Sequence, residues 1–314
     1  MEFFHDIPRI NFMAARKPAM IGSIIVLIIA IGSLSIQALN LGIDFTGGVV
    51  TEVHFPNNAN VTQVRDALHK GGFPDATVQQ FGTPRDVRIQ MRAKGAVKAT
   101  ETTAIGNDVM AVLHKVAPDA KLSAAPTFVG AQVGSSLARK GAIAILVTLA
   151  LILIYLWFRF EWRLAVGAVA ATLHDIVFVI GFFSVFQFQF DLTVLAAVLA
   201  VMGYSVNDTV VVFDRIREDF RKKRRASAFE VVNSAINETL SRTIMTSGLT
   251  LLVVIAMLAV GGPVLFGFAL CLLVGILVGT YSSIFIASAT ALMLGVSKQD
   301  LMVKKKEELV DDRP

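Results

Sequence analysis

The feature that most constrains this chain is a run of 55 residues, Thr243–Ser297, that contains no Asp, Glu, Lys or Arg. A helix needs about 20 apolar residues to cross the ~30 Å hydrocarbon core of a bilayer, so this run is long enough to cross twice. A Gly-Gly-Pro tripeptide, Gly261–Pro263, interrupts the run where a turn between two helices is needed. The run therefore predicts a membrane hairpin with helices over 243–260 and 264–294.

The composition of the whole chain agrees with a membrane protein. Apolar and aromatic residues make up 54% of its 314 residues and charged residues only 17%, against about 25% charged in a soluble domain. A single cysteine, Cys271, excludes a disulfide scaffold and a multi-cysteine metal cluster. Four further apolar stretches predict helices over 19–39, 141–158, 164–188 and 192–213. The first stretch could also be a signal peptide, but it is longer than a typical signal core and no convincing cleavage site follows it.

The positions of the basic residues predict the orientation of these six helices. With the N-terminus inside, the inner segments 1–18, 159–163, 214–242 and 295–314 hold 18 of the 29 Lys and Arg residues, and the two short outer turns hold none. We therefore expect both termini to be cytoplasmic. The basic character of the chain is then a topology signal, and no nucleic-acid partner is needed to explain it.

The inner segment 214–242 has a pattern of its own. Ser227 and Glu230 form a capping-box sequence, and apolar residues at helical spacing follow, which predicts an amphipathic helix in the inner interface. The basic run Arg221–Arg225 is interpreted as a contact with anionic lipid rather than as a specific partner site.

Residues 40–140 differ in kind and predict one extracytoplasmic α+β domain. The predicted elements, in order, are the strand Val49–Phe55, the helix 60–70, the strands Thr77–Phe81 and Val87–Arg92 joined by a turn at Thr83–Asp86, the helix Glu101–Val116 and the strand Lys121–Val129. This β-α-β-β-α-β order is typical of a ferredoxin-like sandwich. The domain has no nucleophile–base pair or metal-ligand spacing, and the chain has no G-x-x-x-x-G-K-[ST] motif. We expect a docking module without enzymatic activity, metal or cofactor.

Ionisable residues inside predicted membrane helices are costly and are therefore functional candidates. Asp208, next to Asn207, and Arg242 lie on consecutive predicted helices that cross the membrane in opposite directions. Both residues lie at about the same depth, so they could pair between the two helices. A carboxylate between an apolar environment and a guanidinium can take up a proton and release it. Alternatively, Asp208 belongs to a solvated network near the inner surface. His174 and Asp175 lie close to mid-membrane and could be either a static interhelical pair or a proton relay.

Small residues on the last helix predict close helix packing. Gly275 and Gly279 are four residues apart, and Thr280, Ser282 and Ser283 follow them. This arrangement is typical of a face on which another membrane helix packs, but it does not identify that helix.

Several segments together resemble the bacterial SecD/SecF protein translocase family. Leu41–Gly48 resembles the signature at the outer mouth of these proteins, and Val201–Glu218 resembles their fourth-helix signature in the SecF branch. Ser241–Thr243 and Gly279–Ile284 fit the fifth and sixth helices. The resemblance covers nearly the whole chain and implies a six-helix bundle equivalent to half of a resistance-nodulation-division (RND) exporter, with SecD supplying the other half.

The resemblance also implies a function. It assigns Asp208 and Arg242 to a proton pathway that uses the transmembrane proton gradient, with no cofactor, in the bacterial inner membrane. Inward proton flow would move the outer domain and draw a preprotein from the SecYEG channel, and other Sec-associated subunits are possible partners. A hinge for this motion is expected at Asp44, Phe45, Gly47 and Gly48. Two other classes of function remain open, a small-solute exporter of the same superfamily and a non-conducting scaffold.

Overall fold

The computed structural model describes residues 9–74, 76–81, 83–92, 99–223 and 225–297. Its helices are α1 Arg16–Ile36, α2 Ile43–Thr46, α3 Val61–Lys70, α4 Ala99–Leu113, α5 Ala131–Arg159, α6 Trp162–Val185, α7 Leu192–Lys222, α8 Ala228–Val260, α9 Gly262–Ser282 and α10 Ser288–Met293. Its strands are β1 Asn40–Leu41, β2 Gly48–His54, β3 Thr77–Phe81, β4 Thr83–Arg92, β5 Lys121–Leu122, β6 Thr127–Val129 and β7 Gln189–Phe190. Most of the predicted cytoplasmic tail, the first eight residues and Arg224 lie outside the described residues.

The prediction of six membrane-spanning helices is confirmed. The helices long and apolar enough to cross a bilayer lie at Phe12–Ile36, Val133–Arg159, Trp162–Val185, Leu192–Lys222, Ala228–Val260 and Leu265–Met293. The most buried apolar segments belong to α6, α7 and α9, whereas α1, α5 and α8 expose most of theirs. The bundle therefore has α6, α7 and α9 at its centre, with long apolar side chains facing outward, as lipid requires.

The turn between the last two spans lies where the glycines and proline predict it. α8 ends at Val260 and α9 begins at Gly262, whose φ of +66° is a conformation that favours glycine. After Ser282 the helix continues through a π-helical segment, Ser283–Ala287, into α10. π-Helical turns inside α-helices are frequently found at functional sites.

Three helices extend beyond their predicted limits by about nine residues or more. α5 begins at Ala131 rather than 141, so the outer domain ends about ten residues earlier than predicted, and α7 continues past residue 213 to Lys222. The predicted amphipathic helix is not a separate element, because α8 runs unbroken from Ala228 through the fifth span. No glycine or proline separates the two parts, so nothing stops the helix at the membrane surface.

The start of α8 is core rather than membrane interface. The predicted capping box is present, with Glu230 N donating to Ser227 Oγ at 3.3 Å. Val232 and Ile236 are buried in the same apolar cluster as α7. Lys223 donates to Asp219 at 2.5 Å and to Glu238 at 2.8 Å. This part of the basic run is therefore paired within the chain, which corrects the assignment of the whole run to lipid.

The outer domain has the predicted β-α-β-β-α-β order. Its antiparallel sheet has the order β3-β4-β2, with β5 and β6 both pairing with the far side of β2, so the predicted last strand is two short strands. The predicted turn at Thr83–Asp86 is wrong, since these residues belong to β4. Thr83 pairs directly with Phe81 across a register shift, and Pro84 lies within that irregularity, where its missing N–H is tolerated.

Candidate functional site

Asp208 lies inside the membrane bundle among hydroxyl groups from two other helices. It projects from α7 and is 2% exposed. Ser247 Oγ, on α8, donates to Asp208 Oδ2 at 3.4 Å and lies 2.9 Å from Thr280 Oγ1 on α9. Tyr204 OH, on α7, donates to Ser247 at 3.4 Å. These groups form a polar cluster, the Asp208 cluster, whose members are Asp208, Tyr204, Ser247 and Thr280.

Arg242 lies near this cluster without touching it. Its side chain is exposed and, among the described residues, it makes no ion pair within 4.0 Å. Its positive charge acts on Asp208 through space. The two residues that the sequence places at the same depth are thus electrostatic neighbours rather than a contacting pair.

The charged residues in the C-terminal part of α7 form a separate network with Arg159. Asp214 pairs with Arg159 at 2.6 Å and with Arg217 at 3.7 Å, and Arg215 pairs with Glu218 at 2.7 Å. None of these ion pairs includes Asp208. Asp208 therefore lies in a buried, hydroxyl-lined site, and none of the described ion pairs connects it to the solvated network considered from the sequence.

His174 and Asp175 form a second buried polar cluster. The two side chains are 4% and 1% exposed, and His174 Nδ1 lies 2.9 Å from Asp175 Oδ1. Asp175 Oδ2 accepts hydrogen bonds from Ser282 Oγ, at 2.7 Å on α9, and from Ser205 Oγ on α7. Since Ser205 precedes Asp208 by one helical turn and Ser282 follows Thr280 by two residues, α7 and α9 join the two clusters.

The glycine face of α9 makes this convergence possible. A Cβ added to Gly275 would lie 2.2 Å from Val201 Cγ2, and one added to Gly279 would lie 3.1 Å from Ser205 Cβ. The helix that packs on this glycine face, which the sequence did not identify, is therefore α7. Ser283 lies at the start of the π-helical segment and donates to Thr280 O at 2.9 Å.

Sequence reasoning missed three hydroxyl groups of these clusters, that of Tyr204 and those of Ser205 and Ser247. The only signal of the two serines is position, because Ser205 lies one turn before Asp208 and Ser247 lies five residues after Arg242. Serine is common in membrane helices, so position alone could not separate these two from the others. Asn207, by contrast, lies on an exposed face of α7 with Gly203 and belongs to neither cluster.

The Asp44–Gly48 segment links α7 directly to the outer domain. Asp44 Oδ2 accepts a hydrogen bond from Leu192 N, at 3.2 Å, in the first turn of α7. A carboxylate at this position accepts a hydrogen bond from an N–H group that has no partner within the helix. Its negative charge also interacts favourably with the positive end of the helix dipole. The ring of Phe45, which is buried, lies 6.1 Å from that of Phe190.

The two glycines of this segment are required by its geometry. Gly47 has a φ of +76°, which favours glycine, and Gly48 begins β2. A Cβ on Gly48 would lie 2.3 Å from the carbonyl oxygen of Met91 in β4. The helix that carries Asp208 is therefore joined, through a tight turn, to the central strand of the outer domain.

Two known family descriptions match the chain. Residues 32–55 match the SecD/SecF GG motif, and residues 108–297 match the family described as protein export membrane protein SecD/SecF, C-terminal. These two ranges contain the Asp44–Gly48 segment and both buried clusters.

The chain is also similar over nearly its full length to individual proteins. It is 47% identical to the protein translocase subunit SecF of Vibrio alginolyticus, with 97% of each chain covered, and 43% identical to that of Pseudomonas aeruginosa, with 97% of this chain and 98% of the relative covered. A crystal structure of SecDF, a translocon-associated membrane protein from Thermus, superposes with a TM-score of 0.74 at 36% identity. That match covers 91% of this chain but only 39% of the longer SecDF chain. The chain therefore belongs to the SecF family of SecD/SecF protein-export membrane proteins.

Proposed function

We propose that this chain is a proton-driven auxiliary subunit of the Sec translocase that works with SecD to draw preproteins from the SecYEG channel into the periplasm. One observation carries the proposal. The buried carboxylate of Asp208 and the base of the outer domain are attached to the same 31-residue helix, α7. A change of charge at Asp208 can therefore move α7 and, through this helix, the base of the outer domain.

The chemistry of the Asp208 cluster suits a group that gains and loses a proton. Ionised, Asp208 only accepts hydrogen bonds, whereas the protonated acid also donates one. The hydroxyls of Ser247 and Thr280 can both donate and accept, so they can rearrange to serve either state. Proton uptake thus changes the bonding between α7, α8 and α9.

The available energy is sufficient to drive such a change. One charge that crosses 100 mV releases about 2.3 kcal/mol, and 1.4 kcal/mol corresponds to a tenfold change in an equilibrium. Each proton can therefore shift a two-state equilibrium of the outer domain by about fifty-fold. We propose that Arg242 assists by attracting the carboxylate of Asp208 electrostatically.

An uncovered face of α7 supports SecD as the partner. Gly203 has no atom near the position of a Cβ, and the Asn207 amide is exposed on the same face, well within the span. A polar amide facing lipid is unfavourable. We propose that SecD covers this face, in agreement with the longer SecDF chains, of which this chain matches 39%.

The proposed orientation places the basic end of the bundle in the cytoplasm of a bacterial inner-membrane protein. Arg163 donates to Leu294 O at 3.0 Å and Arg217 donates to Arg159 O at 3.3 Å, which gathers these residues at the end opposite to the outer domain. Their position agrees with the excess of positive charge on the inner side of membrane proteins.

The proposal is tested by late-stage preprotein export in inverted membrane vesicles, with and without a proton gradient. Vesicles with the complex should show a gradient-dependent increment after the ATP-driven stage, and vesicles that lack this chain should not. An equal response in both vesicle types would contradict the proposal. Altered drug accumulation in a deletion strain with unchanged export would favour the small-solute exporter.

The Asp44–Gly48 segment should be essential for coupling. We expect Gly48→Ala to lower gradient-dependent export several-fold, because its methyl group must displace β4, at a cost of about 1–3 kcal/mol. Gly47→Ala adds backbone strain of similar size. Gly72→Ala is the control, since Gly72 also has a positive φ (+98°) but lies in the outer domain away from α7. If Gly47→Ala and Gly48→Ala leave export unchanged, the hinge role is wrong.

A further inference from the structure

A groove opens at the end of the outer domain that is remote from the Asp44–Gly48 segment. It has a volume of about 330 Å³ and lies between two loops, residues 55–60 after β2 and residues 116–119 after α4. Since β2 runs over seven residues from Gly48 to His54, at about 3.3 Å per residue, the groove is roughly 20 Å from the Asp44–Gly48 segment. A rotation of the domain about that segment would therefore move the groove farther than the base of the domain.

The first loop and the start of α3 supply uncharged amides to the groove. Asn57, Asn58 and Gln63 are exposed, and their side chains make no hydrogen bond within the described part of the chain. The neighbouring Asn60 caps α3, since its Oδ1 accepts from Gln63 N at 3.2 Å. Among the residues that line the groove, Asp119 alone is charged. An amide side chain has two N–H donors and a carbonyl acceptor, so the groove presents unused donors and acceptors that carry no charge.

The second loop and the floor of the groove are mainly apolar. The side chain of Val116 is 41% exposed, and Ala117 and Pro118 follow it along the groove. Phe55 and Val64, which belong to the core of the outer domain, lie beneath. Ligand sites in proteins commonly combine an apolar lining with a few polar groups that fix the ligand, and this groove has both.

Main-chain hydrogen bonds hold both loops in place. Phe55 N and Ala59 N donate to carbonyl oxygens of β4, at 2.8 and 2.9 Å, which fixes the first loop to the sheet. In the second loop, Ala117 N donates to Leu113 O at 2.8 Å and Ala120 N donates to Ala117 O at 3.1 Å. A site that is already formed loses less conformational entropy when a ligand binds. The groove is therefore prepared for a ligand before one arrives.

We propose that this groove binds a short extended segment of unfolded polypeptide, which during export is a segment of the preprotein. Each peptide unit of such a chain, proline excepted, offers one N–H donor and one C=O acceptor, and the free amides of the groove pair with both whatever the sequence. In a folded protein more than about 90% of the buried main-chain groups are already paired, so a folded chain offers few. Apolar side chains of the segment pack on Val116. The inference rests on the proposed function for its role in export.

A photoreactive side chain identifies the occupant in the full complex. Benzoylphenylalanine in place of Asn58 should form an adduct with a preprotein halted in transit into inverted vesicles, because position 58 lines the groove. In place of Asn107, which is exposed on α4 nine residues before Val116, it should form none. Equal adducts at both positions would overturn the proposal. An adduct with SecD that preprotein does not diminish would make the groove a subunit interface and would also overturn it.

Binding of an unfolded probe measures the contribution of the amides without a proton gradient. The probe is reduced α-lactalbumin with its cysteines blocked by iodoacetamide, and the disulfide-bonded protein is the folded control, which should not bind. In the full complex, Asn58→Asp should weaken binding of the probe about fivefold, because a carboxylate cannot donate a hydrogen bond to a main-chain carbonyl. Asn107→Asp makes the same charge change outside the groove and should bind the probe as the wild type does.

The two experiments separate this inference from the proposed function. If the Asn58 variants match their Asn107 counterparts in adduct formation and in affinity, the groove is refuted, and a gradient-dependent increment of export still supports the proposed function. If the wild type shows no increment but the adduct and the affinity depend on position 58, the groove stands as a polypeptide-binding site and the proton-driven function fails.

Discussion

Vesicles that carry Asp208→Asn are expected to lose the whole gradient-dependent part of preprotein export. Asparagine has nearly the same shape as aspartate and can still accept a hydrogen bond from Ser247, so the packing of α7, α8 and α9 should remain. It cannot bind and release a proton, however. Export with a gradient should therefore fall to the level measured without one, while the complex with SecD still assembles.

A matched control lies on the same helix. Asp214 is six residues beyond Asp208, but its side chain is 41% exposed and pairs with Arg159. Asp214→Asn removes the same charge from α7 outside the Asp208 cluster, and exposed ion pairs contribute at most about 1 kcal/mol. We expect export near the wild-type level. A normal gradient response in Asp208→Asn would assign this chain to the scaffold class unless another relay were found.

The second large effect is expected at the contact between α7 and α9. Gly275→Ala should destabilise the folded chain by about 1–3 kcal/mol, because the new methyl group would lie 2.2 Å from Val201 Cγ2 and must push the helices apart. Thermal unfolding of the purified protein in lipid nanodiscs measures this loss. Since α9 also carries Thr280 and Ser282, the displacement should reduce gradient-dependent export as well.

Gly32→Ala is the control for this substitution. Gly32 lies in α1, within a membrane span, and no atom lies within 4 Å of a Cβ at that position. Alanine there should leave the unfolding temperature unchanged or raise it slightly, since it favours the helix over glycine. Equal unfolding temperatures for the Gly275 and Gly32 variants would mean that the α7–α9 contact tolerates a methyl group.

Local patterns in the sequence were sufficient for much of the fold. The six spans follow from the lengths of apolar runs, and the outer domain follows from strand and helix periods between Val49 and Val129. The limits of α5, α7 and α8 did not follow, because those helices continue into polar sequence where packing against neighbouring elements stabilises them. The turn predicted at Thr83 failed for a similar reason, since pairing with Phe81 outweighed local turn preference.

For the functional site, the sequence alone determined which ionisable groups lie inside the membrane, because a charge in an apolar run is visible without any structure. Only the tertiary structure decided what surrounds them. It places Ser247 beside Asp208, Ser205 and Ser282 beside Asp175, and Asp44 at the start of α7, 148 residues away in the chain. Such contacts depend on how helices pack in three dimensions. Hydropathy and periodicity describe each helix separately, so they do not carry this information.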